Sequence, residues 1–178
     1  MRVITGKARG RKLKEPAGQS IRPTTAIVKE SIFNIIQFDI AGRQVLDLFA
    51  GTGQMGIEAL SRGAAACDFV DSAKTSCELV RANLKSCELA GGQVYQNDAK
   101  SFLQRRTRYD LIFFDPPYDL PHIDQIIAEI CRFDILNKNG IMVCETRAEE
   151  VLPAPEPPYQ KGREYRYGKV KLTMYTRQ

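Results

Sequence analysis

Two stretches of this 178-residue chain carry residue types that could do chemistry. The first is Asp115-Pro116-Pro117-Tyr118, directly after Leu111-Ile112-Phe113-Phe114, a run apolar on both faces as an interior strand of a parallel sheet should be. The Asp115 carboxylate and the Pro116 carbonyl offer two acceptors to a single –NH2 group. An exocyclic amine on a nucleic-acid base is a poor nucleophile because its lone pair is delocalised into the ring. Accepting both of its N–H bonds favours a pyramidal nitrogen with a directed lone pair. Two consecutive prolines pre-set the backbone, so the carbonyl is aimed before substrate arrives. Tyr118 supplies a flat face for stacking a base, worth ~1–3 kcal/mol, and a base must leave its stack to enter such a pocket. The bland alternative is that Pro-Pro only stops a strand and Tyr118 lies on the surface.

The second stretch, Gly51-Thr52-Gly53-Gln54-Met55-Gly56, fits G-x-G-x-x-G between an apolar strand, Val45–Phe49, and a helix over roughly 54–62. Asp71 follows twenty residues after Gly51. Literally this is the dinucleotide fingerprint, which makes an NAD-dependent oxidoreductase one candidate. Asp47 argues for a different ligand. It lies four residues before Gly51, near the carboxyl end of the first strand, where ligands bind in such sheets. A carboxylate there would repel a pyrophosphate but attract a cationic ammonium.

The D-x-F-x-G-x-G arrangement resembles motif I of the class I methyltransferases, and Asp115–Tyr118 resembles motif IV of amino-methyltransferases acting on adenine, cytosine or guanine. The resemblance implies S-adenosylmethionine as cofactor. Asp47, Phe49, Ala50, Gly51 and Gly53 would surround its methionine part, and Asp71 with Ser72 would meet the ribose. Asp98 and Ala99, in Asn97-Asp98-Ala99, resemble the segment that reads the adenine amino group. A helix N-cap is the competing reading of Asp98. The donor methyl is activated by its own sulfonium charge, so no metal is needed.

The elements that must position these residues follow a simple alternation. Strands near Val45–Phe49, Phe69-Val70, Val94-Tyr95, 111–114 and 141–145 are separated by helices over 54–62, 73–89 and 122–131. Such β-α-β order predicts a doubly wound, mostly parallel sheet with helices on both faces. After the proline-rich 153–158, Arg163–Tyr167 and Val170–Tyr175 predict an antiparallel hairpin around Gly168. At the other end, Arg2–Thr5 and Arg11–Lys14 predict a basic hairpin, followed by a helix with apolar Ile27/Val28, Ile32 and Ile35/Ile36. The expected organisation is one domain, with residues 1–40 appended to a core of 41–178.

Composition sets the partners. Residues 1–30 hold eight Lys/Arg against two Glu, and residues 159–178 hold six against one. The intervening residues hold twelve against eighteen acidic ones. Basic ends on an acidic middle suit an anionic partner, most commonly nucleic acid. No apolar run reaches membrane-spanning length and no signal-peptide core is present, so a cytoplasmic location is expected. Five cysteines without a CxxC pair, and the single His122, leave no zinc site; buried reduced thiols are expected, with His122 a surface or capping residue.

The whole chain resembles the RsmD-type methyltransferases, which modify guanine N2 in 16S ribosomal RNA. The carrying residues are Gly6-Lys7, Gly10–Leu13, Arg22-Pro23-Thr24-Thr25, Lys29-Glu30, Phe33-Asn34, Val45–Gly53, Gly56, Glu58–Ala64, Asp115–Tyr118 and Tyr167-Gly168. The resemblance implies a class I, Rossmann-like fold with a seven-stranded sheet. It also implies 16S rRNA, within an assembled small-subunit particle, as substrate, and a monomeric enzyme. Arg9, Arg11, Lys12 and Arg22 would contact phosphates, and Thr24 and Thr25 would line the base pocket. Two departures stand out: Ala26-Ile27 replaces the usual Asp-Arg after RPTT, and Asp71 stands where Glu is usual. The rival functions are an adenine-N6 DNA methyltransferase and a non-catalytic RNA-binding assembly factor. A chain this short has little room for a separate DNA-recognition domain.

Overall fold

The computed structural model describes residues 1–16 and 26–178. Its centre is β1 (Gln44–Leu48), four of whose five residues are buried. The other strands are β2 (Ala66–Asp71), β3 (Gly92–Gln96), β4 (Tyr109–Phe114), β5 (Leu136–Arg147), β6 (Tyr159–Tyr167) and β7 (Val170–Arg177). They form one sheet in the order β3-β2-β1-β4-β5-β7-β6. The first five are parallel, and β7 runs antiparallel between β5 and β6. The chain builds outward from β1 to β3, then crosses back to lay β4 on the other side of β1. That reversal opens a crevice at the carboxyl ends of β1 and β4, where Leu48 and Phe114 are in register.

Alternation along β1 and β4 divides the core between the two faces of the sheet. Val45, Leu111 and Phe113 join one apolar cluster with Phe33 of α1 (Ala26–Ile35), Ile57 of α2 (Gln54–Ser61) and Val80 of α3 (Lys74–Cys87). Leu46, Leu48, Ile112 and Phe114 join the other, with Phe102 of α4 (Ala99–Leu103) and Ile126 and Ile130 of α5 (Ile123–Arg132). Gly56 allows the closest of these contacts. A Cβ there would stand 2.3 Å from the Phe69 ring and 2.6 Å from Cys67 Sγ, so α2 approaches β2 only because no side chain intervenes.

The N-terminal residues fold back as a short antiparallel hairpin: Arg2 bridges to Lys12, the Val3 N–H donates to the Arg11 carbonyl at 3.0 Å, and the Leu13 N–H donates to the Met1 carbonyl at 3.1 Å. Others of its backbone donors reach into the core. The Ile4 and Thr5 N–H groups donate to the Glu58 carboxylate at 2.8 and 2.9 Å, and the Lys14 N–H donates to Asn83 Oδ1 at 2.7 Å. These bonds bind the hairpin to α2 and α3 in addition to its own cross-strand bonds. Val3, Ala8 and Leu13 are buried in the same cluster as Phe33 and Phe113.

Glu58 is the hub of this packing. It is fully buried and pairs with Lys29 of α1 at 3.0 Å and with Arg62 at 2.8 Å. Burial works to raise its pKa, but the Lys29 charge and the N–H donors hold it below its ordinary value. Burial likewise depresses the Lys29 ammonium, against the pull of Glu58.

Some boundaries moved. β5 begins at Leu136, and β6 at Tyr159, directly after the proline-rich segment. The helix α4 was not anticipated; it is five residues long, too short for a visible apolar period. In α1, Val28 is buried whereas Ile27 is exposed. All five thiols are free, and four of the five cysteines are buried. Among the described residues, no helix is long and apolar enough to cross a membrane.

Candidate active site

The crevice between β1 and β4 opens into a cavity of about 460 Å³. The loop after β4 contributes Asp115, Pro116, Pro117 and Tyr118. The first strand and its loop contribute Asp47, Phe49, Ala50 and Gly51, and the end of β2 contributes Asp71 and Ser72. Both sequence stretches therefore face one space. Parallel register explains why: Asp47 pairs with Phe113, one turn of the pleat before Asp115, so both acids project on the same face of the sheet.

Asp47 is only 2% exposed, and its Oδ2 accepts the Gly56 N–H at 2.9 Å. Burial pushes its carboxyl up to about 7; the Gly56 hydrogen bond opposes the rise, and the neighbouring Asp115 and Asp71 charges add to it. Asp71 ties the glycine loop to β2: its Oδ2 accepts the Gly51 N–H and its Oδ1 accepts the Ala73 N–H, both at 2.9 Å. Each oxygen keeps a second lone pair for another donor.

The loop itself is bent tightly. Phe49 adopts φ 69°, a left-handed conformation unusual for an aromatic residue, and both Phe49 and Ala50 donate to the Val70 carbonyl at 3.0 Å. Phe49 packs edge-on against Phe114 at 5.6 Å. Gly53 is not part of the cavity wall. It is the N-cap of α2 at φ 77°, and a Cβ there would press on Val80 at 3.1 Å.

A second cavity of about 330 Å³ shares Phe49, Asp71, Ser72 and Leu120 with the first, so the two form one groove. Asn97, Asp98 and Ala99 lie here. Asp98 caps α4: its Oδ1 accepts the Ser101 N–H at 2.9 Å, and hydrogen bonds from the Ser101 side chain and backbone hold the carboxyl below its ordinary value. His122 is the N-cap residue of α5, with no side-chain capping bond, and borders this cavity.

In the catalytic-loop candidate, Pro116 is buried, Asp115 and Tyr118 are half-buried, and the Leu120 N–H closes a turn onto the Pro117 carbonyl at 2.9 Å. The Arg147 guanidinium lies 5.4 Å from the centre of the Tyr118 ring. Arg9, Arg11 and Lys12 are exposed on the N-terminal loop, with Arg11 paired to Glu88 at 2.9 Å across the surface. Arg22, Thr24 and Thr25 lie outside the described residues.

Sequence reasoning missed Glu145, Gln54, Met55, Thr52 and Met1, which also line the main cavity. Glu145 carried a readable signal: an acidic residue directly after apolar Met142-Val143-Cys144, as Asp115 follows Leu111–Phe114. The cavity wall thus bears four carboxyl side chains and, among the described residues, no Lys or Arg side chain. The buried Gln54 Oε1 has no hydrogen-bond partner among the described residues. An acidic wall fits a cationic ligand such as the methionine part of S-adenosylmethionine. It disfavours a pyrophosphate. No group of His, Cys, Asp and Glu among the described residues could hold a metal ion.

Comparison with known proteins agrees with this geometry. The family model described as conserved hypothetical protein 95 matches residues 1–176. The chain is 43% identical over 180 residues to the "Putative rRNA methyltransferase YlbH" of Bacillus subtilis, covering 98% of each protein. It is 32% identical to the ribosomal RNA small subunit methyltransferase D of Escherichia coli, covering 100% of this chain and 90% of that one. The solved structure of "Putative methyltransferase yhhF" from Escherichia coli superposes with a TM-score of 0.90 at 32% identity, covering 100% of this chain and 98% of that one. With the sheet, the crevice and the full-length match all in agreement, the chain belongs to the conserved hypothetical protein 95 family, the RsmD family of class I methyltransferases.

Proposed function

We propose that this chain transfers a methyl group from S-adenosylmethionine to the exocyclic N2 of a guanine in 16S rRNA, acting as a monomer on assembled small-subunit particles in the cytoplasm. The observation that carries the reading is the convergence of the Asp115–Tyr118 loop and the Asp47 glycine loop on one acidic cavity. When bound, S-adenosylmethionine supplies a methyl group already activated by its sulfonium charge. The protein's own work is then to bind, orient and desolvate. Asp47 and Gln54 receive the cationic, N–H-donating end, Asp71 and Ser72 the ribose hydroxyls, and Asn97 to Ala99 the adenine. Across the cavity, Asp115 and the Pro116 carbonyl each accept one N–H of the target amine, which localises its lone pair. Asp115 also takes the proton that the nitrogen sheds. Tyr118 stacks on the extruded base, and Arg147 behind its ring holds that face in place. Orientation of this kind is worth several kcal/mol of barrier. Arg9, Arg11 and Lys12 grip phosphates from the N-terminal loop.

The test is methyl transfer from tritium-labelled S-adenosylmethionine to small subunits from a strain lacking the protein, with duplex DNA as a parallel substrate. Label should enter 16S rRNA in particles and not DNA. Label in DNA adenine, or transfer to neither, overturns the reading.

A further inference from the structure

Glu145 is a buried carboxyl, 6% exposed, that lines the main cavity together with Asp115, Pro116 and Tyr118. Its position is set by the sheet. Cys144 is in register with Phe114, so Glu145 stands beside Asp115 on the neighbouring strand, and both project on the face that carries Phe113 and Val143. Three adjacent strands, β1, β4 and β5, thereby bring Asp47, Asp115 and Glu145 to one edge of the crevice. In the proposed reading the first would face the cofactor and the second the reacting amine; the strand order leaves Glu145 on the far side of Asp115 from the glycine loop. It also borders the small recess behind Tyr118 and Arg147.

A carboxylate beside the acceptor of an amine discriminates among bases by simple hydrogen-bond chemistry. Next to its amino group, guanine carries a second donor, N1–H. Adenine and cytosine carry a lone pair at the corresponding ring nitrogen. A carboxylate accepts from the first and repels the other two. We propose that Glu145 is the residue that specifies guanine, accepting the N1–H of the flipped base while Asp115 and Pro116 hold its N2 amine. This deepens the guanine-N2 reading above and rests on it. The Asp115–Tyr118 loop alone fits any amino-bearing base; Glu145 supplies the discrimination that the loop lacks.

The test uses the full-length protein and reconstituted small subunits whose 16S rRNA carries either guanosine or 2-aminopurine riboside at the methylated position. 2-Aminopurine keeps the N2 amine but presents a lone pair at N1. The wild type should methylate it on the order of 100-fold less efficiently in kcat/KM than guanosine, because a hydrogen bond is lost and a lone pair then faces the carboxylate. Glu145→Gln is isosteric, and its amide can donate to that lone pair. The variant should raise the 2-aminopurine to guanosine ratio at least 30-fold, with S-adenosylmethionine affinity within about threefold of wild type. Equal ratios in the two proteins, or a wild type that accepts both bases equally, overturn the proposal. The wild-type comparison stands even if the variant does not fold. If the wild type methylates neither base in a competent particle, it is the guanine-N2 reading that fails, a distinguishable outcome.

Discussion

Replacing Asp47 by Asn should make the protein more stable and less able to bind its cofactor, two opposite effects from one atom. The carboxyl is 2% exposed and is raised from an ordinary 3.8 to about 7, chiefly by burial. A group whose folded pKa lies above its unfolded value contributes stability fully below the unfolded pKa, and this is lost as pH rises through the folded one. For Asp47 that window runs from about pH 4 to about pH 7. At pH 8 the wild type therefore carries the full cost of a buried charge, about 4 kcal/mol. Asp47→Asn keeps an oxygen for the Gly56 N–H, removes the charge, and should raise Tm by about 10 °C at pH 8 in the absence of cofactor. The gain should shrink to about 2 °C near pH 4.

Affinity moves the other way. A carboxylate attracts a cation roughly 5–6 Å away by about 3 kcal/mol at an effective dielectric of 20, so S-adenosylmethionine binding should weaken on the order of 100-fold. Because only the ionised form attracts a cation, wild-type affinity should rise about tenfold between pH 6 and pH 8, and the variant's should not. Thermal denaturation across pH 4–9 without cofactor, and calorimetry with it, measure both effects. Equal melting temperatures at pH 8, or unweakened binding by the variant, would refute the assignment of Asp47.

Asp115→Asn should lower methyl transfer by about 10²–10³-fold while S-adenosylmethionine affinity stays within about threefold, as single-turnover and equilibrium binding measurements would show; a matched loss of both would move Asp115 to the cofactor side. Gly56→Ala forces a Cβ to within 2.3 Å of Phe69 and should cost about 2–3 kcal/mol in urea denaturation, with a cost under ~0.5 kcal/mol contradicting the packing described. Binding to RNA should weaken with salt by a slope of roughly −0.7 per single-strand phosphate neutralised, and replacing Arg9, Arg11 and Lys12 together should make it shallower by about two. Arg11 is already paired with Glu88, so its share should be the smallest of the three; an unchanged slope would mean that the loop is only a solvated surface.

The glycine loop, the β4 loop and the sheet that presents them were legible because each depends on local rules. Apolar runs ending in an acid mark strand ends, and glycines at fixed spacing mark the turn into α2. What stayed hidden depended on partners distant in sequence. The N-terminal hairpin could be read from its glycines and alternation, but not its anchorage to Glu58 and Asn83, 53 to 69 residues away. Lys29 and Glu58 read as family markers, and only the fold shows them as a buried ion pair joining α1 to α2. Glu145 lies inside β5 with no motif around it, so the apolar run beside it marks a strand and nothing more. Asp98 shows the opposite case: the local capping rule was legible in the sequence, and the residue it places at the start of α4 also lines the groove.

Methylation of guanine N2 in 16S rRNA by the Asp115 loop leaves a chemical mark that can be counted. Nucleoside mass spectrometry of 16S rRNA tests it most directly, in a deletion strain and in the same strain carrying either the wild type or Asp115→Asn. N2-methylguanosine should fall by one residue per 16S molecule in the deletion strain, return with the wild type and stay absent with the variant. Unchanged N2-methylguanosine across all three, or restoration by Asp115→Asn, would contradict it.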